Sequence, residues 1–406
     1  MTLTPRVEEN ISDRESLVFA RRTDKSMSGR VRLWIVFLLV LVAVLLLFWL
    51  GRRPTATGDM IQIGAIDPLT GPFASYGEPV RDGMLLAVEQ VNAKGGVAGK
   101  RVELQIEDDG GDPKAAVNAF TKLATVNRVP AVIGPLSSAA SMATAPLANR
   151  YQVVQLSTLA GTIDLSKAGP YVFRIYPSSE VASRYIAKVA IDRFRAKRVA
   201  IFYPNDPFGV ASKGFVSDVM QQAGVDIVAI ETFNDGDRDF RTQLTKILHS
   251  NPDVLLCSAY YQEGAQILVQ AKQLGLTIPV LGEDGWFGPI AGIAGDAIKN
   301  LYFANVVFGP EYKDNNTMQQ FIADYQQRYH KPANSYAAAG FAGVSVIKHA
   351  IETGGYDSTK IRDALRHTDM LTAFGRVKYG PDNGDNLGAV YGLFQLNDKN
   401  EAVPVK

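Results

Sequence analysis

The chain has 406 residues, 47% of them apolar and 20% charged, with a formal net charge of +1. That composition belongs to a globular protein with length for two or three domains, and so even a charge balance offers a nucleic-acid partner no electrostatic support. Cys257 is the only cysteine, so no intramolecular disulfide forms, and its apolar flanks in "DVLLCSAY" make it a packed core residue.

Residues 1–32 are polar, mixed in charge and without periodicity, which reads as a disordered cytoplasmic tail. Leu33 to Leu50, "LWIVFLLVLVAVLLLFWL", is an uninterrupted apolar run long enough to span a bilayer. A cleaved signal peptide has a shorter apolar region and a small-residue cleavage site. Here "GRRPTATG" follows, with Arg52 and Arg53 against the run. The span, 33–51 with its flank, is therefore expected to be a retained signal anchor, followed by a linker over 52–59. Arg21, Arg22, Lys25, Arg30 and Arg32 precede it, so the positive-inside rule puts the tail in the cytoplasm and the large remainder outside.

From Ile61 onward, apolar runs alternate with amphipathic stretches. "IQIGAID", "RVELQIED", "VPAVIGP" and "VVQLS" read as strands. "EPVRDGMLLAVEQVNAK", "PKAAVNAFTKLATV" and "SAASMATAPLANR" read as the intervening helices, the last kinked or ended by Pro146. The β-α-β order implies a mostly parallel sheet covered on both faces. A break at Tyr176–Ser178 precedes a second such series, from "KRVAIFYP" to "PVLGED". The remaining chain is helix-rich and closes with an expected hairpin around "YGPDNGD". The late helices can complete the first lobe, which divides the exported part into 60–177 plus 308–376 and 178–307 plus 377–406.

In doubly wound folds the ligand lies beyond the carboxyl ends of the strands. Ser137 and Ser138 end the third strand and open a helix, whose free N–H groups and partial positive charge suit a carboxylate; a plain N-cap is the simpler alternative. Other strand ends carry "LSTLAGT", "SAYYQEG" with Tyr260 and Tyr261, and "LGEDGW" with Asp284. A carboxylate at Asp284 can pair with a ligand ammonium, since a buried zwitterion needs a partner for each charge; as a turn residue before Gly285 it would need no ligand. "GGVAGKR" has the wrong spacing for a phosphate loop and reads as a helix cap and turn. "DGDRD" lacks the closing Glu of a calcium loop, where Lys246 stands instead. No histidine sits at a strand end, so no catalytic triad, metal set or cofactor motif emerges.

Taken in order, "IGAIDPLTGPFASYG", "VNAKGGVAGKRVELQIEDDGGDPKAA", "VIGPLSSAASMATAP", "YVFRIYPS", "RVAIFYPNDPFG" and "LGEDG" resemble the type I periplasmic binding proteins, in their leucine/isoleucine/valine-binding branch. The resemblance covers residues from about 60 to 400. It implies an α/β fold of two Rossmann-like lobes with parallel sheets, joined by a three-strand hinge, here preceded by a transmembrane helix. It implies a non-enzymatic protein at the inner membrane, its binding domain in the periplasm or extracellular space. Such a protein passes a small ligand to an ABC permease and ATPase. It also implies that Ser137, Ser138 and the loop Ala160, Gly161 and Thr162 hold a carboxylate, and that Asp284 with carbonyls near Ala160 holds an ammonium. Tyr76, Phe208, Tyr260 and Tyr261 would line the pocket. The family pattern has Thr where Gly161 stands, Glu at Asp284 and often Tyr at Phe208, so an amino acid, an amide or an aromatic acid all remain open as ligand. A sensor subunit signalling to a separate partner is the alternative to transport.

Overall fold

The computed structural model describes residues 60–380, 383–397 and 401–405. The expected tail, anchor and linker fall outside these residues. The described residues fall within one compact unit, which holds two large sheets and a short two-stranded one. No helix among the described residues is long and apolar enough to cross a membrane.

The first sheet takes the order β2-β1-β3-β4-β5, from Ile61–Asp67 (β1), Val102–Asp108 (β2), Ala131–Ile133 (β3), Val154–Ser157 (β4) and Val172–Arg174 (β5). Every pairing is parallel, as the β-α-β order requires. Helices Ala74–Ala93 (α1), Pro113–Lys122 (α2) and Ser138–Tyr151 (α3) make the crossovers. Asp112 caps α2 through the N–H groups of Lys114 and Ala115, with Pro113 at its first position. Pro146 neither ends nor breaks α3, which continues to Tyr151; burial of Ala140, Ala145 and Ala148 against the lobe holds the turns on either side.

The second sheet takes the order β14-β13-β10-β9-β8-β6-β7. Its parallel part comprises Arg198–Pro204 (β6), Asp226–Phe233 (β7), Val254–Cys257 (β8), Val280–Gly282 (β9) and Leu301–Val306 (β10). Helices Ser179–Asp192 (α4), Pro207–Ala223 (α5), Arg241–His249 (α6), Tyr261–Gln273 (α7) and Ile290–Ala294 (α8) connect these strands. The sheet is not purely parallel, because the end of the chain returns as Tyr391–Leu396 (β13) and Ala402–Pro404 (β14), both antiparallel. Cys257 is fully buried among these strands.

Asn316–Tyr329 (α9), Ser335–Gly354 (α10) and Ser358–Arg366 (α11) return to the first lobe, α10 lying along α1 and α11 against β4. Gly83 and Gly340 permit the α1–α10 approach: a Cβ on Gly83 would stand 1.9 Å from the Ala337 carbonyl oxygen. A short hairpin, Asp369–Thr372 (β11) with Gly375–Lys378 (β12), follows. Around "YGPDNGD", Tyr379 and Asn386 form an antiparallel bridge, and no strand pair flanks it among the described residues.

The chain passes between the lobes after β5, after β10 and before β13. The Tyr379 ring packs 5.3 Å from that of Phe173, and Asn386 Nδ2 donates to the Ile175 carbonyl at 2.8 Å. Both contacts tie these residues to β5 and its end. The three crossings touch one another: the Val307 N–H donates to the Val390 carbonyl at 2.8 Å, and the Tyr176 hydroxyl lies 3.2 Å from Asn305 Oδ1.

Candidate functional site

Between the lobes lies a cavity of about 50 Å3, several times the ~10–15 Å3 that one water needs. Its wall includes Phe73, Tyr76, Ser137, Ser138, Gly161, Ser179, Phe208, Tyr260, Asp284, Tyr336 and Tyr391. Strand ends and helix starts supply most of it, as the parallel topology dictates.

On the first lobe, Ser137 and Ser138 divide their work. Ser137 caps α3, its hydroxyl accepting from the Ala140 N–H at 3.2 Å. The Ser138 hydroxyl accepts from the N–H groups of Gly161 and Thr162 at 3.2 and 3.1 Å, which ties the β4 loop to the start of α3. On the second lobe, Ser178 and Ser179 open α4 after Pro177, another proline followed closely by paired serines at a helix start.

Aromatic rings fill much of the remainder. Tyr76 stands 5.4 Å from Tyr336 and 6.3 Å from Tyr260, and Phe208 stands 5.6 Å from Tyr260, centroid to centroid. Several of their hydroxyls cross the cleft. Tyr76 donates to the Gly285 carbonyl at 2.7 Å and accepts from the Tyr261 N–H at 2.8 Å. Tyr336 reaches the carbonyls of Asp284 and Phe287 at 2.6 and 3.0 Å. Ser75 and Tyr261 meet through their hydroxyls at 2.9 Å. The lobes are thus held together by contacts of the protein's own groups.

Asp284 is the charged side chain of the described cavity wall. Burial pushes its carboxyl up to about 7, the adjacent Glu283 carboxyl adds to this, and backbone N–H groups and the Tyr391 hydroxyl oppose it. Glu283 itself points away, in keeping with its extended backbone. Its Oε1 accepts from Ser183 at 3.0 Å, from Ser258 at 3.3 Å and from Ser212, while its buried Oε2 has no partner among the described residues. Burial raises the Glu283 carboxyl as well, against those three hydroxyls. Two neighbouring carboxyl groups therefore lie in a region where no cation offsets Asp284 from the described wall. An ammonium against the aromatic faces and the Asp284 carboxylate would supply the missing charge.

Seven of the residues singled out in the sequence share this wall: Tyr76, Ser137, Ser138, Gly161, Phe208, Tyr260 and Asp284. Three stand behind it. The Ala160 carbonyl accepts from the buried guanidinium of Arg174, whose Nη1 donates at 3.2 Å. Thr162 is fully buried and meets Ser138 through its backbone N–H. Tyr261 is occupied with Ser75 and Tyr76. Phe73, Ser179, Tyr336 and Tyr391 were not singled out. The repeat of Pro-x-Ser-Ser and Pro-Ser-Ser before helices could have revealed Ser179; Tyr336 and Tyr391 come from late elements and carry no local signal. Among the described residues no group of His, Cys, Asp and Glu is arranged to hold a metal ion.

A family profile described as "Periplasmic binding protein" matches residues 60–401. The Leu/Ile/Val-binding protein BraC3 of Rhizobium johnstonii is 29% identical over 85% of this chain and 94% of its own length. Among solved structures, the leucine-binding protein LivK of Thermotoga maritima superposes with a TM-score of 0.80 at 26% identity, over 86% of this chain and 98% of that one. The substrate-binding protein LivJ of Streptococcus pneumoniae, solved with isoleucine, gives 0.78 at 26% identity, over 85% and 98%. The fold, the cleft at the strand ends and these matches agree: the chain belongs to the periplasmic binding proteins, within the type I branch of the branched-chain amino-acid family.

Proposed function

We propose that this solute-binding protein captures a zwitterionic small molecule of the amino-acid class in the cavity between its lobes, without transforming it. One observation carries the reading. The charge on the described wall is a single carboxylate, Asp284, enclosed by aromatic rings, while Ser137, Ser138 and Ser179 stand at the starts of two helices. A carboxylate suits helix N-termini, an ammonium suits a carboxylate beside aromatic faces, and an α-amino acid carries both. The names of its relatives support aliphatic amino acids first; amides and aromatic acids are the comparison probes. Contacts from both lobes are complete only when the cleft is closed, so ligand shifts the hinge toward closure.

The closed form is presented to an ABC permease with its ATPase. Leu33–Leu50 holds the protein at the inner membrane, with the described unit on the outer side. A thermal-shift screen of the full chain in detergent, with L-leucine, L-valine, L-alanine, their amides and benzoate, tests the ligand class. At a hundredfold excess over Kd, a true ligand adds about 2.7 kcal/mol of stability. A melting temperature unmoved by every probe refutes the reading. Protease protection of the tail, but not of the binding unit, in sealed vesicles tests the orientation. Neighbouring permease and ATPase genes would support delivery, and a neighbouring kinase gene would favour signalling instead.

A further inference from the structure

Ser179 heads α4, a helix of 14 residues whose N-cap, Ser178, makes no side-chain capping bond. Its side chain lines the cavity, is 3% exposed, and has a buried hydroxyl with no hydrogen-bond partner among the described residues. Buried hydroxyls are nearly always paired, so an orphan in a cleft wall marks a missing partner. Its position is firmly held: the Ser179 N–H donates to the Gly161 carbonyl at 2.6 Å.

Gly161 lies beside it. A Cβ at that position would stand 3.4 Å from Ser179 Cβ and 3.5 Å from Phe208 Cδ2. Those are ordinary contact distances, so the space beside the loop is filled from the second lobe. From the first lobe comes Ser138. Its oxygen already accepts two backbone N–H groups, which leaves its own proton to be donated elsewhere. Two hydroxyl protons, one from each lobe, thus face a gap bordered by two helix starts. A carboxylate has an oxygen for each donor, and its charge suits the helix ends. A carboxamide carries no charge to suit the helix ends, and its NH2 group can meet a hydroxyl only as donor, which leaves that hydroxyl's own proton unused.

Resting on the solute-binding reading above, we propose that Ser179 binds the ligand carboxylate from the second lobe, opposite the Ser138 contact from the first. An acid then closes the cleft more tightly than its amide. Ser179 sets that specificity.

Calorimetry on the full chain in detergent, with L-leucine, L-valine and L-alanine against their three carboxamides, tests it. The wild type should favour the acids. S179A should weaken acid binding about tenfold or more, as expected for a hydrogen bond to a charged group, and amide binding far less, so that the acid-to-amide ratio falls. G161S/S179G, which returns a hydroxyl to the same space from the loop side, should restore the ratio. Acid binding by S179A within twofold of wild type, or equal losses for acid and amide, overturns the proposal while leaving the solute-binding reading intact. Should S179A unfold, G161S/S179G decides alone: a wild-type ratio supports the proposal and a lost preference overturns it. A wild type that binds none of the six overturns the amino-acid reading, and this inference with it.

Discussion

Replacing Asp284 with Asn separates binding from stability, and the two effects should run in opposite directions. In the unliganded protein the Asp284 carboxyl is raised from 3.8 to about 7. The folded state therefore holds this proton more tightly than the unfolded chain does. Its contribution to stability is full below about pH 3.8 and is lost as pH rises toward 7. The gap corresponds to a ceiling of about 4 kcal/mol, reduced by whatever water in the cleft screens the carboxylate. Asn carries no charge, so D284N should melt a few degrees above wild type near pH 8 when no ligand is present.

Binding behaves inversely. An ammonium needs the ionised carboxylate, whose fraction is about nine-tenths at pH 8 and about one-tenth at pH 6 for a group titrating near 7. Wild-type affinity should fall about tenfold between those values. D284N should bind at least about tenfold more weakly near pH 8 and lose the pH dependence. Calorimetry with L-leucine at about pH 6, 7 and 8, beside melting curves without ligand, measures both. A D284N protein that is less stable than wild type near pH 8, or that keeps the tenfold pH dependence, refutes the assignment of Asp284 as the unpaired carboxylate.

Glu283→Gln removes the like charge beside Asp284, so the pH midpoint of ligand binding should move down; an unchanged midpoint counts against coupling between the two carboxyl groups. Tyr76→Phe deletes two hydrogen bonds across the cleft, at 2.7 and 2.8 Å. It should disfavour the closed form by about 1–3 kcal/mol, seen as a larger radius of gyration by small-angle scattering without ligand; unchanged scattering and affinity would contradict a latch. Arg174→Met strands the Asp385 carboxylate, which Arg174 Nε meets at 2.7 Å from a side chain only 1% exposed. Loss of one partner of a buried pair should cost about 3–5 kcal/mol in urea unfolding, and a loss below about 1 kcal/mol would show that the pair is dispensable.

Much of the fold was legible because parallel sheets write themselves locally. Each strand is a short apolar run bounded by turn residues, and some crossover helices begin with a cap and proline, as at Asp112-Pro113 and Asp206-Pro207. The site was partly legible for the same reason, since residues that follow strands face the cleft. Pro146 does not end α3, because helix propensity weighs a single residue whereas α3 is held by alanines buried against the lobe. Tyr379 and Asn386 meet Phe173 and Ile175, some two hundred residues earlier, a pairing that no local pattern announces.

By itself, then, the order of residues determined the α/β alternation, the two series of strands and the strand-end serines and tyrosines, all of which depend on neighbours a few positions apart. Only the folded chain decided that the Ala160 carbonyl serves Arg174, that Ser179 leaves a hydroxyl unpaired, and that Tyr336 and Tyr391 join the wall. It also shows Asp284 in the cleft while Glu283 turns into a nest of serines. Those outcomes depend on which elements meet across the hinge. Side chains next to each other in extended backbone point to opposite sides, so local pattern cannot say which side becomes the cavity until both lobes are in place.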